Sequence, residues 1–105
     1  MGSLEARIAA VVKSSLAIAV EGVQEGAIDA GLSRGAARSF AWQALLGTAA
    51  LIEDGTESPA GLKDRVASPG GTTIAGLAAL EDGGVRGALM RAVETVALAG
   101  EGGER

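Results

Sequence analysis

The chain has no cysteine, no histidine and no tyrosine. Thiolate nucleophiles, Cys/His zinc sites and Ser-His-Asp triads are therefore excluded, and no residue here is assigned to a metal or to catalysis. With His and Tyr missing, carboxylates and Lys are the side chains left for general acid–base work, and Ser and Thr supply hydroxyls. Aromatics are scarce: one Trp and one Phe give no platform for stacking bases. Positive charge is scarce too. The net charge is −4, with an isoelectric point near 4.7, and no basic stripe breaks the pattern, which argues against a nucleic-acid partner. No run reaches the roughly 18 uninterrupted apolar residues expected of a membrane helix, because Lys13 and Glu21 interrupt the best candidate. The start shows no signal-peptide pattern, and the absence of cysteine fits a reducing compartment or indifference to redox. Together these absences point to a cytoplasmic protein that touches neither membrane nor nucleic acid.

What is abundant is small and apolar. Hydrophobic residues make up 48% of the 105 residues, and 17 residues are glycine. The length supports a single domain over residues 1–105 with one modest core, built of necessity from Ala, Val, Leu and Ile. Small side chains on helices let backbones approach closely, so tight helix packing is expected.

Apolar residues recur at helical spacing almost throughout. Leu4, Ile8, Val11/Val12, Ser15/Leu16, Ala19, Val23 and Ala27 mark one face of a long first helix, with Ser3 as N-cap, Glu5 in its first turn and Gly31 as its stop. On the same helix Ser15, Ala19, Gly22, Gly26 and Ala30 form a small-residue strip. Either it reflects loose helix propensity, each interior Gly costing about 1 kcal/mol against Ala, or it seats another helix backbone. Ser33 opens a second helix whose stripe is Ala37, Phe40, Ala41, Ala44, Leu45, Thr48, Leu51 and Ile52, ended by Gly55. Trp42 falls off that stripe and reads as a partly exposed lid or as a contact with another subunit. Ser58-Pro59 pairs an N-cap with a first-turn proline for a short helix to about Val66. Helices then follow from about Thr73 to Asp82 and, after Gly83-Gly84, through Val85, Leu89, Val93 and Val96. Residues 99–105 read as a polar, Gly-rich, disordered tail. No strand pattern and no internal repeat stand out.

The most informative stretch is Ala67-Ser68-Pro69-Gly70-Gly71-Thr72-Thr73-Ile74-Ala75-Gly76-Leu77, followed by Leu80-Glu81-Asp82-Gly83-Gly84-Val85-Arg86. Pro69 fixes φ and two glycines free the backbone. The threonine pair then offers a capping hydroxyl where a helix start leaves N–H groups unpaired. Such a corner can hold a small anion, since free N–H groups and the positive helix end point at it. The plainer alternative is a helix–turn–helix connection with a good N-cap. Lys63, Asp64, Arg65, Glu81, Arg86, Arg91 and Glu94 read as solvated faces or inter-helix pairs.

This stretch resembles the signature of the C-terminal domain of pyrroline-5-carboxylate reductase. Ala30-Gly31-Leu32-Ser33, Ala44-Leu45-Leu46-Gly47-Thr48-Ala49 and Pro59-x-x-Leu62-Lys63-Asp64-x-Val66 resemble the same domain in order and spacing. The likeness covers roughly residues 16–98; its Ser-Pro-Gly-Gly-Thr-Thr string is specific, and the helical remainder is supportive. The resemblance implies an all-α, intertwined helical bundle similar to the 6-phosphogluconate-dehydrogenase-like C-terminal domain of that family, pairing as an obligate homodimer or building a higher oligomer. It further implies that Ser68, Gly71, Thr72 and Thr73 hold the ring imine and carboxylate of 1-pyrroline-5-carboxylate, whose reduction to proline uses NADPH or NADH.

Two departures qualify that expectation. No strand leads into Gly-x-Gly-x-x-Gly, so no dinucleotide site and no cofactor in this chain are expected; a Rossmann domain would have to act in trans. Leu4 to Lys13 form a plain amphipathic helix where the family has a Gly/Ser/Pro/Ala-rich lead-in, and Met1-Gly2-Ser3 reads as a cloning remnant. The sequence thus suggests an excised or engineered dimerisation domain, or a natural single-domain relative. Two functions stay open: the dimerisation and substrate-binding part of a reductase, inactive alone, or a helical oligomerisation module without catalytic role.

Overall fold

The computed structural model describes residues 2–67 and 72–101. Among them are five helices and no strand: α1 (Leu4–Asp29), α2 (Arg34–Glu53), α3 (Pro59–Ala67), α4 (Thr72–Asp82) and α5 (Val85–Glu101). The all-α expectation holds.

Local chemistry sets the helix ends. Ser3 Oγ accepts from the Ala6 N–H at 3.1 Å, Ser33 Oγ from the Ala36 N–H at 3.1 Å, and Ser58 Oγ from the Gly61 N–H at 3.0 Å. Each hydroxyl satisfies one of the donors that a helix start leaves without a partner. Pro59 stands first in α3, where a missing N–H costs nothing. At the end of α1 the Gly31 N–H reaches the Ile28 carbonyl and the Leu32 N–H reaches the Ala27 carbonyl, both at 3.0 Å. That paired return is a Schellman ending, and it requires the positive φ of +123° that Gly31 adopts.

The chain forms two units. The first combines residues 1–19 with residues 80–105. In it the early turns of α1 run antiparallel to α5: the Arg7 Nε donates to the Val96 carbonyl at 3.0 Å, while Ser15 to Ala19 lie beside Val85 to Ala92. Ile8, Val11, Ser15, Val93 and Val96 are half-buried. Arg7 also donates from Nη1 to the Gly2 carbonyl at 2.7 Å, tying down the chain ahead of α1.

The second unit, residues 20–79, holds the rest of α1, α2, α3 and most of α4. Its centre is small: Ala37 and Ala41 are the buried hydrophobic residues among those described. Leu45, Thr48 and Leu51 continue that line half-buried along α2. On α1, Val20, Gln24, Ala27 and Ile28 are half-buried.

Several expected core positions are open instead. Phe40 is 67% exposed and Val23 58% exposed, and Ala19, Ala44 and Ile52 are also exposed. The reason on α2 is rotational. Successive residues turn about 100° around a helix, so a contact line through Ala37, Ala41 and Leu45 leaves Phe40 on its flank. Of the expected tail 99–105, the first three residues are helical instead, since α5 continues through Ala99 and Gly100 to Glu101; residues 102–105 lie outside the described residues. No helix among the described residues is long and apolar enough to cross a membrane.

Candidate functional site

Of the four residues proposed to hold a carboxylate, Ser68 and Gly71 lie outside the described residues. Thr72 and Thr73 are the first two residues of α4, so the helix begins one residue earlier than expected and both threonines stand inside its first turn; the capping position ahead of them lies outside the described residues. Thr73 is exposed. Helix geometry leaves the first-turn N–H groups of α4 without intrahelical acceptors, and the helix end is electropositive. No acidic residue occupies that first turn, so no carboxylate of the turn competes for an incoming anion.

At the other end of α4 lies the second half of the quoted stretch. The Arg86 Nη2 donates to Glu81 Oε2 at 2.6 Å, across the turn made by Gly83 and Gly84. Gly84 takes a φ of +75°, and its N–H returns to the Glu81 carbonyl at 3.0 Å. The turn thus has two supports, one backbone and one ionic. The hydrogen bond to Glu81 and its negative charge hold the Arg86 guanidinium more firmly protonated than usual. Both side chains are more than half exposed, so solvent screens the pair and its task is to direct the chain.

Three more contacts belong to the second unit. Arg34 Nη1 meets Glu25 Oε2 at 3.4 Å across the α1–α2 turn. Past α2, Asp54 Oδ1 accepts the Thr56 N–H at 2.9 Å, and the hydrogen bonding from Thr56 holds the Asp54 carboxyl below its ordinary range. Lys63 and Asp64 contact each other at 3.4 Å on the surface of α3. Among the described residues no cluster of acidic side chains is arranged to hold a metal ion.

Two open apolar surfaces complete the description. In the first unit a groove of about 340 Å³ is lined by Ser15, Leu16, Ile18, Ala19, Val85, Ala88, Leu89 and Ala92. In the second, a hollow on α2 is lined by Ala36, Ser39, Phe40, Gln43 and Ala44. Trp42 is 49% exposed on the same helix. The reach of Arg7 to Val96 is a feature of the tertiary structure. The sequence shows only that Arg7 falls one turn before Val11, on the apolar side of α1.

Residues 6–101 match the family model described as pyrroline-5-carboxylate reductase dimerisation. The class of the molecule is therefore that of a helical domain through which subunits associate. With nearly its whole length inside that match, the chain belongs to the pyrroline-5-carboxylate reductase dimerisation family. It is 50% identical over 78 residues to pyrroline-5-carboxylate reductase of Synechocystis sp., covering 74% of this chain and 29% of the relative. The enzyme of Glycine max is 46% identical over 80 residues, 76% of this chain and 29% of the relative. That of Neurospora crassa is 42% identical over 93 residues, 85% of this chain and 28% of the relative. The chain thus spans less than a third of the length of the curated relatives it matches.

Proposed function

We propose that this chain is the subunit-pairing and substrate-holding part of a pyrroline-5-carboxylate reductase. It forms a two-fold homodimer and presents the α3–α4 corner to the carboxylate of a pyrroline ring. The observation that carries the reading is the family match over residues 6–101. It is supported by the number of large apolar side chains left open within each unit: Leu16, Ile18, Leu89 and Met90 in the first, Val23, Phe40, Trp42 and Leu46 in the second. An isologous partner would cover such surface at no cost in new sequence.

In this reading Ser68, Gly71, Thr72 and Thr73 contact the substrate, with hydroxyl and N–H donors meeting carboxylate oxygens at an electropositive helix start. No side chain of the described residues is placed to deliver a hydride, which in this chemistry comes from a nicotinamide held within reach of the imine carbon. NADPH or NADH would therefore be bound by a Rossmann domain, on the same polypeptide or in trans.

Titration of the full chain with proline, followed by backbone amide shifts, tests the corner without a cofactor. Perturbations confined to residues 68–74, saturating on the order of millimolar, are expected. Amides there that respond to neither proline nor sulfate would remove the substrate-holding role and leave a pure oligomerisation module.

A further inference from the structure

We draw no further inference here: the strongest candidate, the apolar groove between α1 and α5 lined by Ser15, Leu16, Ala19, Leu89 and Ala92, carries nothing because nothing in the structure shows what covers it.

Discussion

The side chains that matter most here are hydroxyls and one carboxylate, each working on a neighbouring backbone N–H. Thr73 is exposed in the first turn of α4, so Thr73→Val keeps its shape and removes only its hydroxyl. Losing one neutral hydrogen bond costs about 1 kcal/mol, which is roughly a five-fold weaker proline response; the circular-dichroism spectrum should not change. A proline titration identical to that of the unsubstituted chain would take Thr73 out of the site. Asp54 supplies a pH dependence. Its carboxylate accepts from Thr56, and its folded pKa lies below the ordinary 3.8. A depressed folded pKa stabilises the turn above the unfolded value, and the contribution fades as pH falls through the folded one. Carbon-detected titration should therefore give Asp54 a midpoint below 3.8, with the Thr56 amide shift following it. Asp54→Asn should abolish that acid-range step at Thr56.

At the scale of helices, α1 poses the sharpest question. Gly22 and Gly26 sit inside it, and a methyl group added at either would meet nothing within 4 Å in the single chain. If that strip faced solvent, alanine there would strengthen the helix by about 1 kcal/mol per site. If it seats the helix of a second copy, the same methyl groups overfill the contact, at a cost of about 1–3 kcal/mol. The pairing reading predicts the latter: Gly22→Ala with Gly26→Ala should raise the dimer dissociation constant on the order of ten-fold. Sedimentation equilibrium decides the point, and pairing as tight as before, with higher thermal stability, would assign the strip to solvent. Leu89, on α5, offers a control on another surface. It is exposed and lines the groove of the first unit. Leu89→Glu should shift the population toward monomer if that groove is covered in the dimer, and leave the mass unchanged otherwise.

For the whole molecule, membership in a dimerisation family implies association with further copies. The buried hydrophobic centre of the described residues is two alanines. So small a centre leaves much of the apolar surface to be covered by another subunit, and folding should be tied to association. Light scattering at micromolar concentration is expected to give at least twice the chain mass, and the thermal midpoint should rise with protein concentration. A well-folded monomer with a concentration-independent midpoint would contradict this. The cofactor follows the same logic. One electropositive helix start attracts a phosphate but does not orient a nicotinamide against an imine. The purified chain should therefore neither quench NADPH fluorescence saturably nor turn over 1-pyrroline-5-carboxylate. Either result would overturn the assignment of hydride transfer to another domain.

Sequence alone determined the helices and most of their ends, the C-terminal end of α5 at Glu101 excepted, because those features depend on groups a few residues apart. Ser3, Ser33 and Ser58 cap from three residues away, and Gly31, Gly55 and Gly84 take the positive φ that their turns demand. Of the candidate site, the sequence showed that a helix starts at the threonine pair, to within one residue. The Glu81–Arg86 pair realises one of the two readings open to these residues, an inter-helix pair rather than a solvated face, a choice the sequence could not make because both patterns look alike along the chain. Tertiary structure decided which side of each helix is covered. A helical period marks an apolar face only to within a residue or so, and about 100° per residue is enough to bury Ala41 while leaving Phe40 open. It also decided the reach of Arg7 to Val96, which lies 89 residues away in sequence. No local pattern names such a partner, because only the folding of α5 back along α1 brings that carbonyl within reach.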